Sequence, residues 1–296
     1  MEFNKTIKAA VIGDPIAHSL SPKLHNYLLE TQGIKHGVKG SYEAILTKEN
    51  ELEDKIKWMI GQGYVGFNVT LPHKESVRKI CNNNLTINAK IIGAVNTVQI
   101  GFNNNPNEIW GDNTDAAGFI KNLLHYFPTF SPANKTAFVM GAGGAARAVL
   151  HALNLQNIKK IVITNRSEDR VRTLIEELNE FNTAYKVELV FMNYDEFEDN
   201  LNQCDLLVNT TSLGMINTAP LNISLKKLSK DAIVYDIVYK PLMTELLINA
   251  QKNGNRIVTG IGMLIFQALV GHEIWFGYKP QVTKELFDFM IKESQK

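Results

Sequence analysis

The chain has 296 residues, 45% of them hydrophobic, enough to fill a core in each of two ordinary domains. With a formal net charge of +1 and both signs interspersed, it offers no basic field for nucleic acid or an anionic membrane, and neither partner is expected. The cysteines, Cys81 and Cys204, lie far apart without histidines at ligand spacing, so they are expected to be small buried hydrophobes, and no metal is expected. The opening Met1-Glu2-Phe3-Asn4-Lys5-Thr6 enters a strand-like segment without a leader's charged and apolar regions, and no apolar run reaches membrane-spanning length; the expectation is a soluble, cytoplasmic protein.

Residues 8–12 are apolar enough for a buried strand, which Gly13-Asp14-Pro15 ends. Ser21-Pro22 is a good N-cap and first-turn pair for a helix carrying Leu24, Tyr27 and Leu28 and stopping before Gly33. Ser21 is therefore either a cap or a ligand-binding group. Ser19 adds a second hydroxyl in the same strand-to-helix loop, a cluster that suits a carboxylate. A strand over 38–44 and a helix over 48–59, with Leu52, Ile56 and Ile60 at helical spacing, supply ordinary core. Another strand covers 63–70, and Leu71-Pro72-His73-Lys74-Glu75 turns out of it into a short helix. A lysine past a strand end is commonly a solvated charge, but Thr70 and the proline-fixed turn direct the Lys74 stem one way, which suits a functional lysine. His73 is expected to be a surface or turn histidine.

A short helix over 86–91 leads into a strand over 93–98 with Asn96 in its middle. A buried asparagine there needs partners for both ends of its amide, from a polyol ligand or from neighbouring backbone. Residues 102–107 form a hairpin loop to Ile109-Trp110, and Asp112 is expected in a turn. Asp115 sits at a helix start, where capping is its simplest role. The apolar stretch 119–127 continues that helix, which is expected to cross from one domain to the next.

From Lys135 the pattern alternates: strands over 136–140, 160–164, 187–191, 205–209 and 233–236, with helices over 143–154 and 168–178. Such alternation predicts a parallel sheet with helices on both faces. Its first strand runs into Gly141-Ala142-Gly143-Gly144-Ala145-Ala146. Gly141 and Gly143 leave room for a tight turn and a close pyrophosphate, Ala146 fills the third small position, and the following helix points its free N–H groups at the phosphates.

At the end of the second strand an NAD site would place an acidic residue for the ribose hydroxyls. This chain has Asn165-Arg166-Ser167 there, with Arg170 four residues after Arg166. A charged hydrogen bond contributes about 1.5–3 kcal/mol and tenfold in affinity is about 1.4 kcal/mol, so Arg166 can favour a 2′-phosphate by about tenfold to a hundredfold. NADP is the inferred cofactor. Asn209-Thr210-Thr211-Ser212-Leu213-Gly214-Met215 and Tyr235-Asp236-Ile237-Val238-Tyr239-Lys240-Pro241 are two further strand-to-loop passages, the first placed near a nicotinamide. Thr259-Gly260-Ile261-Gly262 opens a long helix in which Gln267 is a lone amide, exposed at a cleft or bonded within it. A closing helix over 280–293, with Val282, Leu286, Phe289 and Ile291, is structural.

In this order the segments resemble the shikimate dehydrogenase family over nearly the whole chain. The resemblance rests on Ser19-Leu20-Ser21-Pro22, Asn68-Val69-Thr70-Leu71-Pro72-His73-Lys74, Gly93-Ala94-Val95-Asn96-Thr97, Gly111-Asp112-Asn113-Thr114-Asp115, the turn at 141–146, Asn165-Arg166-Ser167, the 209–215 loop and Gly260-Ile261-Gly262-Met263-Leu264. It implies an α/β fold with an N-terminal α/β substrate domain over 1–113, to which C-terminal helices over 261–296 return. A Rossmann-like, doubly wound NADP-binding domain would cover 114–260.

The implied reaction is reversible reduction of 3-dehydroshikimate to shikimate by NADPH in aromatic amino-acid biosynthesis. Residue by residue, the resemblance implies Lys74 and Asp115 as the catalytic pair. Ser19, Ser21 and Tyr239 would bind the ring carboxylate, and Thr70, Asn96 and Gln267 the ring hydroxyls. The cofactor set would be Gly141, Ala142, Gly143, Gly144, Ala145, Asn165, Arg166, Ser167, Arg170, Thr210, Ile237 and Gly260. Two other readings stay open: a quinate/shikimate dehydrogenase of broader substrate or cofactor range, and a non-catalytic ligand-sensing homologue. Monomer and homodimer are both compatible with the sequence.

Overall fold

The computed structural model describes residues 6–101, 105–180 and 186–296. The expected N-terminal lead-in at 1–5 and residues 102–104 of the expected hairpin loop lie outside them. The chain forms two compact units: Met1–Thr114 with Ile265–Glu293, and Asp115–Leu264 with Ser294–Lys296.

The first unit opens with β1 (Ile7–Gly13), α1 (Ser21–Thr31), β2 (Gly40–Leu46), α2 (Leu52–Gly61) and β3 (Tyr64–Val69). It continues with α3 (Lys74–Cys81), α4 (Ile87–Ile92), β4 (Thr97–Ile100) and β5 (Ile109–Asp112). The five strands form one sheet in the order β2-β1-β3-β4-β5. β1 pairs in parallel with β2 and β3, whereas β4 runs antiparallel to β3 and β5 antiparallel to β4. Crossover helices between the first three strands force their parallel pairing, and the short β4–β5 link permits only a hairpin.

Both faces of this sheet are covered. Ile12, Phe67, Val69 and Val98 pack with Ile56, Met59 and Val77 in one cluster, and Ala9, Val11 and Tyr42 pack with Trp275, Phe276 and Tyr278 in another. A Cβ on Gly66 would lie 2.1 Å from the Trp275 ring nitrogen, and one on Gly40 would lie 2.6 Å from the Phe276 ring. Those strand glycines thus admit the aromatics brought by the late part of the chain.

The second unit contains α5 (Asp115–Tyr126), β6 (Thr136–Met140), α6 (Gly144–Leu155), β7 (Lys160–Thr164), α7 (Glu168–Glu180) and β8 (Glu188–Phe191). After these come α8 (Tyr194–Asp199), β9 (Leu206–Asn209), β10 (Ile233–Asp236), α9 (Glu245–Asn253) and β11 (Arg256–Val258). Its six strands lie in the order β11-β10-β9-β6-β7-β8 and every pair is parallel. Counted from β6, this is the 3-2-1-4-5-6 order of a dinucleotide-binding sheet. Two helices close the chain, α10 (Ile261–Phe276), whose first four residues belong to the second unit, and α11 (Lys284–Ser294).

Several local expectations need correction. The N-cap of α1 is Leu20, in helical geometry, and Ser21 is the first helical residue; Pro22 tolerates that shift because its missing N–H falls within the first turn. The helix expected over 48–59 is split into a 3₁₀ turn at Glu49–Glu51 and α2. The strand expected over 93–98 begins only at Thr97, because Gly93 takes a left-handed C-cap of α4 and the chain must still turn. Asp112 ends β5 and is no turn residue: its carboxylate accepts from the Thr86 hydroxyl at 2.5 Å and the Asn113 N–H at 2.7 Å. The closing helix begins at Lys284, after Pro280. α8, α9 and β11 have no counterpart in the sequence reading, each being short and weakly periodic.

Candidate active site

In the first unit β1 and β3 lie side by side, and their connections leave toward β2 on one side and β4 on the other. Ligands of open α/β sheets bind outside the strand carboxyl ends at such a switch point. The loops leaving β1 and β3 carry Ser19, Ser21, Thr70 and Lys74. They are joined there: the Asp14 N–H donates to the Leu71 carbonyl and the Thr70 N–H to that of Ile12, both at 3.0 Å. The Ser19 hydroxyl oxygen accepts the Ser21 N–H at 3.3 Å, so the half-buried Ser19 and buried Ser21 crowd one helix start.

Lys74, half-buried, is the first residue of α3, and its carbonyl accepts the Val95 N–H at 2.9 Å. His73, expected at the surface or in a turn, is fully buried, with Nε2 2.6 Å from the Thr47 carbonyl. That contact requires the Nε2–H tautomer, since a carbonyl only accepts. The imidazole therefore ties the start of α3 to the end of β2, which fixes the backbone from which Lys74 projects.

Asn96 and Gln267 are brought together. The Asn96 amide donates to the Thr114 hydroxyl at 3.0 Å and to Gln267 Oε1 at 3.3 Å, and its oxygen accepts the Thr114 N–H at 2.8 Å. Both ends of that amide are thus held by protein groups, mainly side chains of Thr97, Thr114 and Gln267. Asn68 donates to the Asn96 carbonyl at 3.0 Å and to the Thr97 hydroxyl at 3.2 Å, and accepts from the Tyr42 hydroxyl at 2.6 Å. Burial raises the Tyr42 phenol well above its ordinary value, keeping it a donor. Sequence reasoning assigned no part to Tyr42, Thr97 or Thr114, although a polar Asn68 inside a strand of core residues was the available signal.

A second buried polar pair lies behind this network. His25 of α1 and His272 of α10 face each other Nδ1 to Nδ1 at 3.0 Å, and the His25 ring stacks on Tyr42 at 4.0 Å between centroids. One ring must donate and the other accept, so both cannot be protonated at once, and burial of both rings favours the neutral pair. Desolvation by burial lowers His25 well below its ordinary value, with repulsion from His272 adding to it, and burial alone pushes His272 down to about 3.

In the second unit β6 runs into Gly141 at φ +115°, where a Cβ would meet the Thr210 hydroxyl at 2.5 Å. Gly143 is the N-cap of α6, makes no side-chain cap bond, and has nothing within 4 Å of where its Cβ would stand. As at any helix start, the first N–H groups of α6 have no intrahelical acceptor, and the open side of Gly143 leaves room for a phosphate beside that start. Ala142 is buried and Gly143 and Ala145 half-buried. Thr210 donates to the Met140 carbonyl at 2.6 Å, tying the loop after β9 to the end of β6. At the end of β7 the Asn165 amide donates to the Ser167 carbonyl at 3.0 Å, and Arg166 and Arg170 are exposed. Gly260 lies under Ile237, whose carbonyl oxygen is 2.2 Å from where a Cβ would stand. Tyr239 is half-buried in the loop after β10, and Asp115 is the buried first residue of α5.

Asp236, at the end of β10, is fully buried and accepts from Asn209, the Val238 N–H and the Thr244 hydroxyl at 2.9, 3.0 and 2.6 Å. Burial pushes its carboxyl up to about 6, and these hydrogen bonds pull the other way. Cys81 and Cys204 are buried, and burial raises both thiols. Among the described residues no cluster of three His, Cys, Asp or Glu could hold a metal ion, and no helix is long and apolar enough to cross a membrane.

The strand order, the positive-φ glycine and the uncapped α6 define the second unit as a dinucleotide-binding domain of the oxidoreductase type. Family models match residues 11–98 (shikimate dehydrogenase substrate binding domain) and 126–239 (shikimate / quinate 5-dehydrogenase). A shikimate dehydrogenase (NADP(+)) of Paramagnetospirillum magneticum is 41% identical over 283 residues, covering 96% of this chain and 97% of that protein. Among solved structures, shikimate dehydrogenase of Aquifex aeolicus superposes with a TM-score of 0.83 at 31% identity, covering 99% of this chain and 100% of that one. The Thermus thermophilus shikimate 5-dehydrogenase, in complex with NADP(H) and shikimate, gives 0.79 at 30% identity, with 98% and 99% covered. The chain belongs to the shikimate dehydrogenase family.

Proposed function

We propose that this protein catalyses the reversible, NADPH-dependent reduction of 3-dehydroshikimate to shikimate. The observation that supports the reading is the first unit's switch point, where backbone hydrogen bonds join the two loops that carry the paired serines and the lysine, in a unit that also holds a buried amide network. Serine hydroxyls and N–H groups at a helix start suit a ring carboxylate, and amides and hydroxyls suit a polyol. On this reading Ser19 and Ser21 hold the carboxylate with Tyr239, while Thr70, Asn96 and Gln267 hold ring hydroxyls.

NADPH supplies the hydride when bound. The residues present fit it: Gly143 leaves open space for the pyrophosphate, Gly141 supplies the positive-φ turn against Thr210, α6 offers its N–H groups, and Arg166 and Arg170 suit the 2′-phosphate. As the carbonyl carbon takes hydride, its oxygen gains an electron pair and needs a proton. Lys74 is assigned to deliver that proton to the oxygen and to take it back in the reverse direction, with Asp115 assigned to orient the lysine. The first unit is accordingly the substrate domain and the second the NADP domain, in a cytoplasmic enzyme that is a monomer or homodimer.

The test is the matrix of initial rates with shikimate or quinate against NADP or NAD, followed at the NADPH absorbance band. Turnover concentrated in the shikimate–NADP cell is expected. Faster turnover with quinate or NAD would replace this reading by the broader dehydrogenase, and no turnover in any cell would replace it by a ligand-sensing role.

A further inference from the structure

The carboxylate of Asp236 stands apart from every group given a role above, yet three donors from different segments converge on it. Its Oδ1 accepts the Asn209 amide and the Val238 N–H, and its Oδ2 accepts the Thr244 hydroxyl. Asn209 extends the chain of bonds into the neighbouring loop. Its oxygen accepts the Thr211 N–H at 3.0 Å and the Thr211 hydroxyl at 2.7 Å, and its amide also reaches the Leu213 carbonyl at 3.3 Å. The Ile237 N–H donates to the Asn209 carbonyl at 3.1 Å, and Thr244 caps α9 at the Leu247 N–H. One buried carboxylate therefore joins the end of β9, the end of β10 and the start of α9.

The residues flanking this junction, Thr210 and Ile237, are among those assigned to the dinucleotide on the dinucleotide-binding reading. Thr210 follows Asn209 and is bonded to the last carbonyl of β6, directly against the Gly141 turn. Ile237 follows Asp236 and lies over Gly260. We propose that Asp236 is a positioning residue for cofactor binding, holding the loops after β9 and β10 so that Thr210 and Ile237 are presented together with the glycine turn. The inference rests on the dinucleotide-binding reading of the second unit.

Chemistry explains why a carboxylate is required there. An acceptor-only group with two oxygens can satisfy three donors at once, whereas an asparagine amide would set an N–H₂ against one of them. A buried charge is tolerated only with such compensation.

The test uses Asp236→Asn, Thr244→Val and Thr244→Ser in the full chain, with NADPH binding read by quenching of protein fluorescence well below the unfolding temperature. Asp236→Asn and Thr244→Val are expected to weaken NADPH by about tenfold, the effect of losing a charged hydrogen bond, while Thr244→Ser restores wild-type affinity. A purely structural role would lower the melting midpoint and leave the dissociation constant unchanged, and that result overturns the proposal. Should Asp236→Asn fail to fold, the Thr244 pair decides alone: equal affinities for the valine and serine variants refute the inference. If the wild-type protein itself binds no NADPH, the dinucleotide reading fails and this inference with it; if only the variants match wild type, this inference alone fails.

Discussion

Acid should destabilise the first unit through the His25–His272 pair. Burial holds the folded His272 down to about 3 against an ordinary value of 6.5, so the unfolded chain binds the extra proton first. A depressed folded value means that the stability is present above the unfolded pKa and is lost as pH falls from about 6.5 toward about 3. At about pH 4.5 the unfolded imidazole is charged and the folded one neutral, two pH units below the unfolded value. Each unit is about 1.36 kcal/mol, so His272 alone removes on the order of 2–3 kcal/mol relative to neutral pH. His25, shifted in the same direction, adds to the loss.

The perturbation is His272→Leu, which deletes one titrating ring and leaves His25 Nδ1 without its partner. At neutral pH the variant should be less stable by about 1–3 kcal/mol, the cost of an orphaned buried polar atom. Trp58, Trp110 and Trp275 are the protein's three tryptophans and all lie in the first unit, so urea unfolding followed by tryptophan fluorescence reports the unit that holds both histidines. Carboxylates titrate alike in both proteins and cancel in the comparison. The stability gap should close by on the order of 2–3 kcal/mol between neutral pH and about pH 4.5. A gap that stays constant with pH would refute the neutral buried pair.

Lys74→Ala should lower kcat by about a hundredfold or more, as expected for loss of a positioned proton donor, while equilibrium shikimate binding is largely kept; near-normal turnover would remove its assigned role. Arg166→Ala should cut the preference for NADP over NAD, measured as the ratio of kcat/KM values, by about tenfold to a hundredfold. Gly143→Ala should raise KM for NADP by about tenfold with an unchanged melting midpoint, because a methyl there meets open space on extended backbone. Gly141→Ala should lower the melting midpoint as well, since its φ of +115° and the Thr210 hydroxyl at 2.5 Å both oppose a side chain.

The α/β alternation after Lys135, the glycine turn and the arginine in place of an acid were legible because each is local. A strand, its turn and the next helix start occupy adjacent residues, and the phosphate-binding geometry follows from their order. Ser19, Ser21, Thr70 and Lys74 were nominated the same way, as polar residues at strand-to-helix turns. Capping and register were less legible: whether Ser21 caps α1 or enters it depends on the angle at which the chain leaves β1, and the late start of β4 depends on the turn at Gly93.

Sequence by itself determined the strand-and-helix grammar of both units, the cofactor class and the small set of polar residues at turns. Tertiary structure decided which of those residues meet. Asn96 finds Gln267 across 171 positions and His25 finds His272 across 247, separations at which no local pattern specifies a partner. It also buried His73, which a turn context suggested was solvated, by placing the Thr47 carbonyl within reach of its ring. The physical reason is common to all three. A polar side chain's role depends on which donors and acceptors surround it after burial, and the packing of distant strands and helices, not sequence proximity, supplies them.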